Sequence, residues 1–596
     1  PIKPIQEPPP PNDVVVRNVV KKMLGGRPRE ATKTLFGNGL AASNEDTAAA
    51  LRDMFPQVMQ DLPPIPQSIK PIIISPATMQ ALITKTMNTQ TSLDMFGFTV
   101  QDLIPTRETP NHTFLCQFSR LLAHLASANL PPEAMFILNA TTAMAFNKVQ
   151  LAEQQARIDA GLKPKLRPVQ LCSRAGGLGI KAALNTQEGR DHNASLQKHN
   201  VGAGTPAGVQ THVLSLRAAF EGNSGIATID ASNAFNTVSR PKILQEYISR
   251  CPGRSHLMAL LMGPSLALYS YNDGERNVRE AIPVTTGVRQ GCRTGADGYC
   301  TAIAGILEEL DKVFKQEGVL VKAATDDILC RHPSNKNAHE WAKFFKRVKA
   351  INDQVKAAME ECGPRINEDK GRLLIPKSAP PPPLALFPPN YVVHGLVILG
   401  TPIGDQEYVL AHAMSLLQDY QDRADAITRV SATNPLLAMN LLTHHNQKLR
   451  YFYSVTPPDL LGPFIAACDA IIQKASLRIR YCDATPPPID QKHLEMVHKI
   501  DTLPSRLGGK GLTPHTIQAP VSWLSTQSQV SEALPHKDQQ ILMVHTVEAV
   551  KMIRSLRPTN LPMHENFRRL LPADDESLRD GTFFAKMRSS AKTRSL

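Results

Sequence analysis

Residues 226–240 read IATIDASNAFNTVSR. An alternating apolar segment at 226–229 runs into a single acid, Asp230, which is the pattern of a half-buried strand that ends on a carboxylate. A helix is predicted next, because Ser239 can cap it, a proline follows in its first turn, and apolar residues recur at helical spacing. The stretch therefore predicts a strand, a turn and a helix around Asp230.

A second acidic point lies in residues 319–330, VLVKAATDDILC, where Asp326 and Asp327 stand between two short apolar runs. This pattern predicts a β-hairpin with adjacent carboxylates at its turn. Two strands that each present carboxylates can hold two divalent cations, and Mg²⁺ suits oxygen ligands and substrate phosphates. Taken alone, either acidic point also fits a loop carboxylate in solvent.

Five motifs follow one another in order around these acids. They are Asp230 with Ala234-Phe235, GVRQGCRTG at 287–295, Asp326-Asp327, INEDKG at 366–371 and LVILGTPIG at 396–404. Their order and spacing resemble motifs A to E of reverse transcriptases. The resemblance is nearest to the RNA-directed DNA polymerases of non-LTR retrotransposons, whose motif A often reads like NAFN, and it spans roughly residues 160–525.

The resemblance implies an α+β, right-hand polymerase fold, with fingers, a palm whose antiparallel sheet carries the acids, and a helical thumb. We expect five regions: a proline-rich lead and N-terminal helical extension (1–75), N-terminal helices and fingers (76–225), the palm with finger insertions (226–404), the helical thumb (405–500) and a C-terminal helical extension (501–596). Apolar spacing predicts further helices at 76–87, 114–125, 135–149 and 338–361.

The resemblance also implies catalytic roles. Asp230 and Asp326 would ligate two Mg²⁺ ions, for which Mn²⁺ could substitute, and Asp327 would be a weaker ligand or an orienting group. Lys370 occupies the place of the lysine proposed to protonate departing pyrophosphate, and its ammonium would help either as an acid or as a static charge. A surface lysine in a turn is the alternative reading of Lys370.

Substrate contacts are implied at other positions. Phe235, five residues after Asp230, would clash with a ribose 2′-hydroxyl and so favour dNTPs. Basic side chains on an extended segment can reach triphosphate oxygens. The resemblance implies that Lys165 and Arg167 contact the triphosphate and that Gln290 and Gly291 line the nascent base pair. It also implies that Leu399 and Gly400 form the primer grip, which supports the primer end. Glycines at 287, 291 and 295 are expected to let backbone approach a base pair.

Two departures from the family pattern leave alternatives open. Ala324 stands where the family usually has an aromatic residue two positions before the acid pair, and Asn236 replaces a second acid of motif A. An inactive or domesticated reverse-transcriptase-like RNA-binding protein is therefore one alternative. An intron maturase is another. For the His444-His445 pair we expect phosphate or solvent contact rather than metal binding.

Composition agrees with a nucleic-acid partner. Lysine and arginine exceed aspartate and glutamate by 13, and the pI is about 9.3, which favours polyanions; RNA template, DNA primer and dNTPs are the expected partners. The nine cysteines include no C-x-x-C pair, so no zinc ribbon is predicted. A reduced, intracellular setting, nucleus or cytoplasm, is expected. No apolar run is long enough to span a bilayer, so no membrane partner is expected.

Overall fold

A computed structural model describes residues 11–24, 31, 34–35, 39–58, 60–86, 112–335, 337–383, 385–387, 390–482, 490–503, 507–556, 571 and 584. The proline-rich lead at 1–10 and the end of the predicted helix at 87 lie outside these residues.

The described chain combines helices with short strands. The helices are α1 Pro11–Leu24, α2 Glu45–Met54, α3 Pro76–Thr86, α4 His112–Ala126, α5 Pro132–Asn139, α6 Leu151–Asp159, α7 Arg174–Leu184, α8 Gln187–Leu196, α9 Gly208–Glu221, α10 Ala234–Thr237, α11 Arg240–Arg250, α12 Ser255–Leu261, α13 Arg293–Ala302, α14 Ala304–Phe314, α15 Ala338–Cys362, α16 Gln406–Ser415, α17 Leu417–Val430, α18 Pro435–Asn446, α19 Arg450–Val455, α20 Gly462–Arg480, α21 Gln491–Thr502, α22 His515–Val530 and α23 His536–Ser555. The strands are β1 Thr141–Asn147, β2 Leu166–Leu171, β3 Ser224–Ile229, β4 Ala231–Ser232, β5 Ser265–Asn272, β6 Asn277–Val284, β7 Leu320–Ala324, β8 Asp327–Ser334, β9 Arg365–Ile366, β10 Arg372–Leu374, β11 Val392–Val393, β12 Gly395–Ile398 and β13 Thr401–Gly404.

The central sheet has five strands in the order β11-β10-β3-β8-β7. Strand β3 pairs antiparallel with β8, and β8 pairs antiparallel with β7, which closes the predicted acidic hairpin. The helix predicted after Asp230 is α11, and the Ser239 side chain accepts the backbone N–H of Lys242 as its cap. The strand, the hairpin and this helix are therefore confirmed.

Helix α15 lies behind the central sheet and buries one long apolar stripe. Its inward residues recur at helical spacing: Trp341, Phe344, Phe345, Val348, Ile351, Val355, Met359 and Cys362. They join β3, β7, β8 and helices α11 to α14 in the largest core cluster. Burial of such a stripe supplies most of a helix's stability in a folded protein. The sheet that carries the acids therefore rests on a rigid support.

A second sheet, in the order β2-β1-β5-β6, combines two strands that precede β3 in the sequence with two strands that follow it. Here one prediction is wrong. The helix expected at 135–149 ends at Asn139, and residues 141–147 form β1 with alternating burial. The segment TTAMAFN becomes a strand because it pairs with both β2 and β5, and those partners are distant in sequence.

Helices α16 to α20 form a separate apolar cluster, with α1 and part of α22 against it. The helical character expected after residue 405 is confirmed. The expectation for His445 is wrong: this ring is 2% exposed, stacks on Tyr420 at 4.2 Å, and bonds the Tyr420 carbonyl. Burial lowers the pKa of His445 to about 3, so it is a neutral core residue. His444 is exposed.

The C-terminal helices join the central sheet through a buried ion pair. Asp538 on α23 is fully buried and accepts two guanidinium bonds from Arg331 on β8, one of them at 2.6 Å, and a bond from Ser215 on α9. A bidentate pair of this kind fixes orientation as well as distance. In the part of the chain that the structure describes, no helix is both long and apolar enough to cross a membrane.

Candidate active site

The three predicted acids converge at one end of the central sheet. Ile229, the last residue of β3, pairs with Ile328 on β8, so Asp230 and Asp327 continue the same two adjacent strands. Neighbouring strands lie about 5 Å apart. Asp326 occupies the turn between β7 and β8, next to Asp327. Carboxylates separated by some hundred residues in the sequence thus share one corner of the sheet.

The acidic hairpin closes with a two-residue turn. Ala324 pairs with Asp327, which leaves Thr325 and Asp326 as the loop. Thr325 has φ of +64°, in the left-handed region that a β-branched residue rarely adopts. Strain of this kind persists only where surrounding contacts hold it, and it often occurs at functional sites.

Charge crowding is the main electrostatic feature of the site. Burial, followed by the charges of Asp326 and Asp230, raises the pKa of Asp327 from 3.8 to about 6. Burial also raises the pKa of Asp326, and Asp230 contributes in the same direction. A cation between the carboxylates would relieve this repulsion, and oxygen ligands suit Mg²⁺. The donor set therefore fits a divalent cation, although within the described ranges no group of three or more His, Cys, Asp or Glu residues is arranged as a metal site.

Lys370 lies directly against the acids. Its ammonium donates to Asp230 Oδ2 at 2.9 Å, and its side chain is half exposed. The turn that carries it is fixed to the same strand end, because the backbone N–H of Asn367 donates to the Asp230 carbonyl at 2.8 Å. Strand β4 also pairs with β9, immediately before this turn. The local pairing explains how a lysine 140 residues away reaches Asp230.

Lys148 is a second cation at the site, and no sequence pattern predicted it. Packing around its ammonium lowers the pKa of Lys148, as do the charges of Lys370 and Arg167, while Asp230 and Asp326 act in the opposite direction. Lys148 immediately follows β1, whose last residues pair with β2. Lys148 thus lies near the acids, and Arg167 on β2 lies near Lys148.

Lys165 and Arg167 differ in their surroundings. Both side chains are exposed, and Arg167 lies opposite Phe146 in the β1–β2 ladder. The Lys165 ammonium lies 3.7 Å from Glu153 on α6. The charge of Arg167 acts on Lys148. Lys165 instead forms a surface ion pair with Glu153, and such pairs are weak in water.

Phe235 makes an aromatic contact with Tyr299, a residue that interacts with the acidic hairpin. Its ring stacks on Tyr299 at 5.3 Å between centroids. Tyr299 is fully buried, and its pKa is raised well above the ordinary value by burial and by the charges of Asp326 and, more weakly, Asp327. Tyr299 thus connects Phe235 to the acidic hairpin, and nothing in the local sequence around Tyr299 predicted this.

The glycine-rich loop at 287–291 joins the two sheets. Gln170 on β2 donates its backbone N–H to the Gln290 carbonyl at 2.7 Å. Gly291 has φ of +101°, and a Cβ there would lie 2.8 Å from the Val169 side chain. Gly287 has φ of +70°, and a Cβ there would lie 2.4 Å from the Phe235 carbonyl oxygen. Both glycines are therefore closely packed against other parts of this chain, and their approach to a base pair stays a prediction.

Two thiols lie beside this loop. Interaction between the Cys172 and Cys292 thiols raises the pKa of Cys172 and lowers that of Cys292. Arg289 also lowers the pKa of Cys292. When one of two neighbouring thiols keeps its proton and donates it, the thiolate form of the other is stabilised; here Cys172 is the donor and Cys292 the acceptor.

Leu399 and Gly400 form the tight turn between β12 and β13, as predicted. Both have positive φ, +50° and +76°. Two positive values are the signature of a hairpin turn whose twist matches its strands. The Tyr451 hydroxyl donates to the Leu399 carbonyl at 2.9 Å, and buried Arg217 donates to the Pro402 carbonyl at 2.6 Å. Contacts from α19 and α9 therefore hold this hairpin in place.

Comparison with known proteins identifies a domain in the chain. Residues 180–403 match the family model described as reverse transcriptase (RNA-dependent DNA polymerase). The matched range begins in α7 and ends in β13, so it contains all three acids and Lys370. These residues are therefore similar to a reverse transcriptase domain, and the expected right-hand polymerase fold is confirmed. No curated protein sequence matches the chain.

Solved structures that match include telomerases. Telomerase from Candida albicans, in complex with a TWJ fragment of telomeric RNA, has a TM-score of 0.35 at 10% identity and covers 75% of this chain and 68% of that chain. Apo telomerase from Candida tropicalis has a TM-score of 0.31 at 8% identity, covering 60% and 68%. A form of the latter truncated from the C-terminal domain has a TM-score of 0.29 at 10% identity, covering 45% and 54%.

Proposed function

We propose that this chain is an RNA-directed DNA polymerase of the non-LTR retrotransposon type, which adds dNTPs to a primer 3′ end on an RNA template. The observation that carries the proposal is the convergence of Asp230, Asp326 and Asp327 at one corner of the central sheet, flanked by Lys370 and Lys148. The NAFN sequence of motif A supports the retrotransposon type.

The acids supply the charge that this chemistry needs. Asp230 and Asp326 would hold the cations, and Asp327 would orient them from the adjacent strand. When bound there, two Mg²⁺ ions would make the primer hydroxyl more acidic and neutralise the leaving pyrophosphate. Lys370, already bonded to Asp230, would give a proton or a fixed positive charge to the departing oxygen.

The surrounding residues would select and orient the nucleotide. Lys148 and Arg167 would bind triphosphate oxygens, since Lys148 interacts with the acids and Arg167 on β2 lies near Lys148. Phe235, held by the Tyr299 ring, would exclude a ribose 2′-hydroxyl by steric clash. The hairpin at 399–400 would support the primer end through its backbone.

Primer extension tests the proposal. A labelled DNA primer on an RNA oligonucleotide is incubated with dNTPs and Mg²⁺, and primer–template binding is followed separately by fluorescence anisotropy. Asp326→Ala should lower the extension rate at least about a thousandfold, which corresponds to about 4 kcal/mol of transition-state stabilisation. Asp353→Ala is the matched control, because this acid lies on α15 and its partner is Lys349.

The same assay decides between the alternatives. Extension by the wild-type chain that is lost in Asp326→Ala and kept in Asp353→Ala supports the polymerase. Tight RNA binding by a wild-type chain that never extends a primer would refute the proposal and favour an RNA-binding module, for which Ala324 in the hairpin is the specific sequence feature.

A further inference from the structure

Residues 199–202, HNVG, lie along the outer edge of the central sheet. The backbone N–H of Val201 donates to the Ala323 carbonyl, and the N–H of Ala323 donates to the His199 carbonyl, both at 2.8 Å. Asn200 forms a parallel bridge with Ala323. Because β7 is the edge strand, this segment covers backbone groups that would otherwise lack strand partners. It reaches the acidic hairpin just before its turn.

The Asn200 side chain brackets Thr325, the first residue of that turn. Its Oδ1 accepts the backbone N–H groups of Thr325 and Gly202, each at 3.0 Å. Its Nδ2 donates to the Thr325 carbonyl at 3.2 Å. Asn200 is only 1% exposed, so removal of the amide would leave shielded backbone groups without partners, which costs more than the bonds themselves contribute.

Thr325 requires this support because of its backbone conformation. Its φ of +64° is unfavourable for a β-branched residue. Gly202 fits closely against the same residue: a Cβ at 202 would lie 2.3 Å from Thr325 Oγ1 and 2.6 Å from its backbone nitrogen. Asp326 follows directly in the chain. The conformation of Thr325 therefore sets the direction in which the next carboxylates point.

We propose that Asn200 is a positioning residue for polymerisation, whose amide fixes the backbone of Thr325 and thereby the carboxylates of Asp326 and Asp327. The inference rests on the proposed polymerase function and adds to it a residue that lies outside the five motifs. Asn200 acts through the turn and contacts no reacting group. Misplacement of a reacting group by about 1 Å can cost about a hundredfold in rate, so the turn is a sensitive point.

Single-turnover primer extension over a range of Mg²⁺ concentrations tests this role. Asn200→Ala should lower the rate at least about tenfold and raise the Mg²⁺ concentration that gives half the maximal rate, with primer–template affinity unchanged. Adding Thr325→Gly to Asn200→Ala should recover part of the rate, because glycine adopts positive φ without strain. Asn139→Ala is the matched control: Asn139 is also 1% exposed and bonds one backbone carbonyl, that of Leu260.

Hydrogen exchange gives a second readout that needs no activity. Backbone amides of residues 325–327 should exchange faster in Asn200→Ala than in the wild type. If the wild-type chain does not extend primers, the proposed function fails, and exchange still tests the turn. Should Asn200→Ala not fold, Gly202→Ala disturbs the same turn without removing a hydrogen bond and should give the same loss of rate.

Three results would overturn the role of Asn200. The first is a wild-type rate and Mg²⁺ dependence in Asn200→Ala. The second is an equal loss of rate in Asn139→Ala, which would indicate general destabilisation. The third is unchanged exchange at 325–327 in Asn200→Ala, which would mean that the amide does not hold the turn.

Discussion

Replacement of Asp327 by Asn tests the charge crowding at the acidic corner. Burial and the neighbouring acids raise the pKa of Asp327 from 3.8 to about 6 in the folded protein. Since the folded value lies above the unfolded one, the folded state binds this proton more tightly. The cost of ionising Asp327 is therefore absent below about pH 4, grows as pH rises, and is fully present above about pH 6.

The size of the effect follows from the difference of about two pKa units. Asn keeps the shape of the side chain and never ionises. Two pKa units correspond to about 3 kcal/mol, and because Asp327 is partly exposed, solvent screening reduces the expected effect. In metal-free buffer, Asp327→Asn should therefore unfold with a free energy about 2 kcal/mol larger than the wild type at pH 7.5, and about 1 kcal/mol larger at pH 5. Added Mg²⁺ should stabilise the wild type at pH 7.5 more than the variant, because a ligand that binds only the folded state stabilises it.

Urea unfolding at a series of pH values measures this directly. The fluorescence of Trp341 and Trp523, which are buried, reports the transition, first with EDTA and then with Mg²⁺. Asp353→Asn serves as the control, since this carboxylate is largely exposed, lies on α15 and pairs with Lys349 rather than with the acidic hairpin. The reasoning fails if Asp327→Asn is less stable than the wild type at pH 7.5 without metal, or if the difference does not change with pH.

Three further predictions concern the residues around the acids. Phe235→Val should raise incorporation of ribonucleotides relative to dNTPs at least about tenfold, measured as the ratio of kcat/KM values, and an unchanged ratio would contradict steric exclusion by this ring. Lys148→Ala should raise the KM for dNTPs about tenfold, because one charge-assisted hydrogen bond to the nucleotide is lost, and should change primer–template affinity little. A wild-type KM would show that Lys148 does not contact the nucleotide. Tyr451→Phe should reduce the free energy of unfolding by about 1 kcal/mol and weaken binding of the primer end, and equal binding would show that the bond to Leu399 does not support the primer.

The sequence alone determined the local elements of the site. The strand before Asp230, the hairpin around Asp326 and Asp327, and the capped helix after Ser239 all follow from short-range patterns of apolar, acidic and capping residues. The turn at 399–400 is equally local. The order of the motifs then indicated a resemblance to reverse transcriptases, and the reverse transcriptase family model matches residues 180–403.

The residues that approach the three acids from distant parts of the sequence are known only from the tertiary structure. Asn200 reaches Thr325 across 125 residues of sequence, and Lys148 and Tyr299 approach the acids from other elements. Residues 141–147 became a strand for the same reason, since their partners β2 and β5 exist only in the folded chain. A local sequence pattern predicts hydrogen bonds and burial only within a few residues. The contacts of Asn200, Lys148 and Tyr299 depend instead on the relative positions of whole helices and strands, which are fixed only when the core assembles.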